Sequence, residues 1–256
     1  MQAITVTFDG SKAITRLSLT VEKGSLRVLI GPNGRGKSTL LDTITGKVRP
    51  ESGEIRFGGQ AITRLPEHRI VRLGICREFQ APGVLEGLSM REKLLLSARK
   101  DKGVLGILRS PTPAEQFRAD ELLWLTGLET RADVPAASLA HGEEQRLESG
   151  MVLAAGPQLL LLDEPTAGMT ALETARTAGL IRSLAGRHTV FVIDHDIAFV
   201  ELLDTPITVL HQGQVFREGN LATLRADADV SGKAQRRRPK GRLRMLKLEN
   251  VSAAYD

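Results

Sequence analysis

The 256-residue chain has one cysteine, Cys76, nine aromatic residues and no long apolar run. A lone thiol rules out an internal disulfide framework and suits a reducing compartment. Seven Phe, one Trp and one Tyr are too few to build a base-stacking surface, so no nucleic-acid partner is expected. No stretch approaches the roughly 18 apolar residues of a membrane span, and the start lacks a basic segment followed by an apolar one, so a cytoplasmic protein is the default. Excess charge is missing from most of the chain as well. Residues 231–256 hold eight Lys or Arg against two acids, a net of +6, which leaves residues 1–230 at −1 within a total of +5.

The length is sufficient for one large α/β domain with a smaller subdomain. Early runs alternate β-like segments with turns: "AITVTF", "LSLTV" and "SLRVLI", the last leading straight into Gly31. A helix is expected from Gly36 to about Thr45, then a Pro-Glu-Ser-Gly turn and a strand "EIRF" closed by Gly58-Gly59. From Ser89 to about Leu128 the pattern is helical. Ser89 with Glu92 reads as a capping box, "PTPAEQ" opens a second helix carrying Trp124, and "DKGVLGILRSP" between them reads as a loop or short insertion. "QLLLLDEP" is a continuous apolar run of the kind found in buried parallel strands, followed by a helix over 170–184, a strand "TVFVIDH" and a hairpin at "HQGQ". Strands and helices alternate at both ends, and helices alone fill the middle. The expected fold is therefore an α/β nucleotide-binding core with an inserted helical subdomain over about 85–155.

"GPNGRGKST" fits the phosphate-loop pattern G-x-x-x-x-G-K-[ST], placed after a strand and before a helix. Gly31, Asn33, Gly34, Gly36, Lys37, Ser38 and Thr39 are the candidate phosphate-binding residues. Glycines let backbone N–H groups close round phosphate oxygens, and the helix start adds its positive end. Lys37 is placed to reach the β- and γ-phosphates and the Ser38 hydroxyl to hold Mg²⁺. In "LLLLDEP" an apolar strand ends in two acids at a sheet's carboxyl edge. Asp163 is the second candidate Mg²⁺ ligand, and Glu164 the general base for the attacking water.

The order of motifs then carries a resemblance. The phosphate loop, Gln80 in "REFQ", "LAHGEEQ", "LLLLDEP" and His195 in "VIDHD" resemble, over about residues 3–228, the ATP-binding subunits of ABC transporters. The wording of "SLAHGEEQRLE", "LLDEPTAGM" and "VIDHDIAFV" is similar to the ATPase subunits of branched-chain amino acid and, more closely, urea uptake systems. The resemblance implies a P-loop ABC ATPase core with an antiparallel β subdomain, and ATP and Mg²⁺ as ligands. Further implied roles are adenine stacking for Phe8, with an inward-packed strand residue as the alternative; contact with Mg²⁺ or the attacking water for Gln80; and γ-phosphate contact for His195. Ala140 and Gly142 would meet the γ-phosphate bound by a second ATPase subunit, identical or different, lying head to tail. Integral membrane permease subunits and, indirectly, a solute-binding protein are the other implied partners.

Three positions depart from the family pattern. Ala140 stands where a Ser hydroxyl is expected, Arg35 where a small residue is usual, and Met169 and Thr170 where many relatives carry Asn or Asp. The expectation is an ATPase subunit at the cytoplasmic face of the membrane driving import of urea or a short amide, with branched-chain amino acids second. An ABC-type ATPase without a membrane partner and a weakly active ATP-binding subunit stay open as alternatives. The tail "MLKLENVSAAYD" resembles the opening strand of another ABC ATPase subunit, behind a basic linker expected to be disordered; read-through between neighbouring frames would produce it, with an ordinary basic tail as the alternative.

Overall fold

The protein is described by a computed structural model over residues 1–8, 10–32, 36–77, 87–99 and 109–227. The basic tail, Asn33, Gly34, Arg35, Gln80 and most of the 101–113 insertion lie outside the described residues.

Three strands form an antiparallel sheet: β1 (Gln2–Phe8), β2 (Ser11–Leu17) and β4 (Ser52–Glu54), in the order β2-β1-β4. The larger sheet comprises β3 (Leu26–Ile30), β7 (Ile75–Arg77), β8 (Leu159–Asp163), β9 (Thr189–Ile193), β10 (Ile207–His211) and β11 (Gln214–Gly219). Its order is β11-β10-β3-β9-β8-β7, parallel except for β11. A small hairpin, β5 (Arg56–Phe57) and β6 (Gln60–Ala61), turns at Gly58-Gly59.

Helices α1 (Gly36–Ile44) and α2 (Glu67–Arg72) precede β7, while α3 (Met90–Ala98), α4 (Pro113–Thr126) and α5 (His141–Ala154) lie between β7 and β8. The rest are α6 (Ala171–Leu184), α7 (Ile197–Leu203) and α8 (Leu221–Ala226). Local chemistry sets several boundaries. Ser89 and Glu92 form the expected capping box at α3. Thr112 and Glu115 form another at α4, which has Pro113 in its first turn and ends at Gly127 with φ of 66°.

Two expected strands differ. The run Leu17–Val21 is not a strand; β2 occupies Ser11–Leu17 instead. Phe8 pairs with Ser11 and Ile4 with Leu17, so β2 ends opposite the first part of its partner β1. The strand expected at 54–57 is divided at Ile55, whose N–H goes to Thr63 Oγ1 (2.8 Å) and whose carbonyl accepts from Ile62 N (2.9 Å). β4 thus pairs with β1 while β5 pairs with β6.

The period-2 alternation of the parallel strands divides the core. Val28, Leu160, Leu162, Val190 and Val192 face a layer containing Met90, Leu94, Leu122, Ile181 and Phe199 of the helices. Leu29, Leu161, Phe191 and Ile193 face Ile4, Val6 and Ile14 of the antiparallel sheet and Leu40 and Leu41 of α1. Both faces are covered, which is why these strands read as unbroken apolar runs. Burial of each Leu, Ile or Phe contributes about 1.5–3 kcal/mol against the entropy of ordering the chain.

Candidate active site

The parallel register fixes where the loops emerge. Leu29 and Asp163 both sit opposite Ile193, so the chain leaves β3, β9 and β8 at one carboxyl edge. That edge gathers Gly31, Lys37, Asp163, Glu164, Asp194 and His195 from three separate stretches of sequence.

Gly31 and Gly36 are required by close approach. A Cβ on Gly31 would stand 2.4 Å from the Leu210 carbonyl oxygen, and one on Gly36 3.0 Å from the Ala13 carbonyl oxygen. Lys37 arches back over the loop, its Nζ donating to the carbonyls of Gly31 (2.9 Å) and Pro32 (3.1 Å). Burial lowers the Lys37 pKa from its ordinary value, against the attraction of Glu164, Asp163 and Asp194. The first turn of α1 holds no acid, leaving its positive end to attract an anion. Ser38 is exposed there and Thr39 is buried. Phe8, at the end of β1, is half-buried and packs on the core layer shared with α1.

Glu164 follows β8 in a left-handed conformation, φ 52°. Such a backbone costs about 1–3 kcal/mol in a non-glycine residue and persists where the surroundings enforce it. Here Glu164 N donates to Ile193 O at 2.8 Å. The carboxylate Oε1 lies 3.3 Å from His195 Nδ1, and both side chains reach solvent. Beneath them Asp194 is 1% exposed. Its Oδ1 accepts from the backbone N–H of His195 (2.6 Å) and Asp196 (2.9 Å), and its Oδ2 from Thr166 Oγ1 (3.0 Å). Asp194 therefore ties the loop bearing His195 to the loop that follows Glu164. Asp163 is held by Arg77, whose Nη2 donates to Asp163 Oδ2 and Nη1 to Asp42 Oδ1, both at 2.6 Å.

The start of α5 lies in a different setting. Ala140 is its N-cap and offers no side-chain acceptor, so only half of a capping box forms: Ala140 N donates to Glu143 Oε2 at 3.1 Å. Glu143 also accepts from Arg131 at 2.6 Å. Burial raises the Glu143 pKa, and the Ala140 N–H and Arg131 outweigh it, so the net shift is downward. A Cβ on Gly142 would stand 2.3 Å from Glu173 Oε1, so this glycine already serves packing within the chain. Glu173 in turn accepts from Thr170 N (2.9 Å) to cap α6. Gln145 Nε2 donates to Pro165 O at 2.6 Å, joining α5 to the loop after Glu164. Met169 accepts from Thr177 Oγ1 at 3.4 Å.

Sequence reasoning did not single out Arg77, Asp194, Thr166 or Glu173. The available signals were the cation three residues before Gln80 and the two acids flanking His195 in "VIDHD". Arg77 meets Asp42 and Asp163 across 35 and 86 residues, and Thr166 meets Asp194 across 28, beyond the reach of local pattern.

A family profile described as ABC transporter matches residues 14–167. The chain belongs to the ABC transporter family. An ABC ATP-binding subunit of this kind binds ATP and hydrolyses it to drive transport. The cassette is 32% identical over 244 residues to BraF of Pseudomonas aeruginosa, a high-affinity branched-chain amino acid transport ATP-binding protein, covering 90% of this chain and 94% of that protein. It is 32% identical over 233 residues to the branched-chain amino acid transport ATP-binding protein LivG of Escherichia coli K12, covering 87% and 91%. Among solved structures it is similar to the ADP conformation of the ABC transporter cassette MJ1267 (TM-score 0.79, 27% identity, 90% and 95% covered). It is also similar to the dimeric post-hydrolysis cassette MJ0796 bound to ADP and Pi (TM-score 0.71, 25% identity, 86% and 97% covered).

Among the described residues no cluster of three or more His, Cys, Asp or Glu could form a complete metal cage. The donor set fits Mg²⁺ nonetheless, because this ion is commonly bound by one carboxylate or hydroxyl together with waters and substrate phosphates. The exposed Ser38 hydroxyl at the start of α1 and the Asp163 carboxylate are donors of that type.

Proposed function

We propose that this cassette powers an importer for a small polar solute, working as one of two ATPase subunits on the cytoplasmic face of integral permease subunits. The observation that carries the chemistry is the pairing of Glu164 with His195 at 3.3 Å beside a lysine held over a phosphate-type loop. In this reading Gly31, Gly36, Lys37, Ser38 and Thr39, with Asn33 and Gly34, hold the phosphates. Phe8 contacts the adenine. Ser38, Asp163 and Gln80 would hold Mg²⁺, which when bound would supply charge neutralisation at the phosphates. Glu164 takes the proton of the attacking water, and His195 orients Glu164 and meets the γ-phosphate. Lys37 and the backbone N–H groups stabilise the charge that develops on the phosphate oxygens.

The signature segment from Ala140 to Gly142 closes on nucleotide bound by the second subunit. The dimeric cassette among the similar structures supports that arrangement. For the solute, the names of the relatives favour branched-chain amino acids over the urea or short amide expected from wording alone. No described helix is long and apolar enough to cross a membrane, in keeping with a peripheral subunit attached through its permease.

Steady-state hydrolysis measured for the chain alone and reconstituted with its permease and binding protein tests the reading. Stimulation by leucine-loaded binding protein is expected; stimulation by urea alone would reassign the cargo. Equal rates with and without the permease would remove the transport role.

A further inference from the structure

Arg77 stands apart from the motifs, yet it makes two of the shortest ion pairs in the site. Its guanidinium spans Asp163 on β8 and Asp42 on α1, at 2.6 Å each, with the side chain only 13% exposed. The two carboxylates are exposed to 23% and 22%, so the cation is the most shielded member of the trio. Asp42 has a further, looser neighbour in Lys47 at 4.0 Å. Arg77 ends β7, Asp42 lies on the helix that follows the phosphate loop, and Asp163 ends the neighbouring parallel strand. One planar fork thus locks three elements together, and a guanidinium suits this better than an ammonium because its donors are fixed in two directions.

The charge has a consequence for metal binding. Asp163 faces a permanent cation on its own chain, and a like charge close by weakens the attraction of a carboxylate for a second cation. We propose that Arg77 is a positioning residue for Asp163, holding its orientation and suppressing its affinity for a free divalent ion, so that metal binds well only when nucleotide phosphates supply the remaining ligands. The inference rests on the assignment of Asp163 as a metal ligand. It adds a requirement for order: phosphate and metal arrive together.

The test uses Mn²⁺ alone as probe, titrated into the nucleotide-free full chain, with free ion followed by electron paramagnetic resonance. Arg77→Gln should bind Mn²⁺ at least about threefold more tightly than the parent, roughly the effect of removing one partly solvated like charge. Adding Asp163→Asn should abolish that gain. Arg77→Lys keeps the charge and loses the fork, so a smaller increase is expected. If Arg77→Gln lowers thermal stability with unchanged Mn²⁺ affinity, Arg77 is only a structural ion pair and the proposal fails. A gain that survives Asp163→Asn also overturns it. Should Arg77→Gln not fold, Arg77→Lys decides: affinity equal to the parent's counts against the proposal. Binding of ATP in excess Mg²⁺ is measured alongside. Its persistence without the Mn²⁺ effect would leave the ATPase reading standing, whereas its absence in the parent chain would defeat that reading separately.

Discussion

The Gly31–Thr39 loop and the start of α5 both open a helix, and they are built in opposite ways. At the loop, charged groups are locked by contacts within the chain: Lys37 on two carbonyls, Asp163 on Arg77, Asp194 on three donors and Glu164 in a strained backbone. At α5 the N-cap is Ala140, the helix start is satisfied by the backbone of Ala140 and by Glu143, and the closest pressure is Glu173 on Gly142. One edge is held by ion pairs and hydrogen bonds that join separate stretches of the chain. The other is a lightly capped surface whose polar groups serve its own helix. The contrast shows where substitution should act on turnover and where it should act on closure or stability.

The largest effect is expected at the locked edge. Glu164→Gln should reduce hydrolysis by roughly 10²-fold or more, the usual contribution of a positioned general base, while ATP binding and nucleotide-dependent dimerisation persist. Lys37→Ala should instead lose ATP affinity. Turnover and fluorescent-nucleotide binding, measured on both variants, check the division of labour; undiminished hydrolysis in Glu164→Gln would remove the assignment.

At α5 a smaller effect should appear through packing. In Gly142→Ala the new Cβ would meet Glu173 Oε1 at 2.3 Å, so the carboxylate must move off the Thr170 cap of α6. Thr170 Oγ1 still caps the helix by accepting from Glu173 N, so losing the Glu173 half of the capping box should cost less than the roughly 1 kcal/mol of a whole N-cap, readable by chemical denaturation. Glu173→Ala alone should cost about the same, and the double variant less than the sum, because the two changes disturb one contact. Strict additivity would show that Gly142 and Glu173 are not coupled.

The smallest effect is a gain. Ala140→Ser supplies the missing half of the capping box with Glu143 and should stabilise the chain by about 1 kcal/mol or less. Because the same hydroxyl would stand where a donor to the γ-phosphate is expected, hydrolysis or dimerisation should also rise. An increase in stability with neither would confine Ala140 to a structural role.

The sequence alone was enough for the strand before Gly31 and the helix from Gly36, the apolar strand ending in Asp163, the capping box of Ser89 with Glu92, and the family. Each of these is a short-range pattern in which residue type and spacing carry the physics: glycine where a Cβ would collide, Lys-Ser at a helix start, alternating core contacts along β8 and β9. It was misleading at 17–21, because strand length there is set by pairing with β1 and not by local β propensity. It was silent on Arg77, Asp194 and Thr166, because what matters at these positions is the partner, and the partner is brought near only when parallel strands align their carboxyl ends; it was silent too on the contact of Glu173 with Gly142, which joins two helix starts. Tertiary structure alone decided that Asp163 is held by a half-buried arginine, that Glu164 adopts a left-handed backbone under the hold of Ile193, and that Gly142 rests against a carboxylate of its own chain. These are long-range contacts, whose energies depend on burial and orientation in space, and no window of sequence contains both members of the pair.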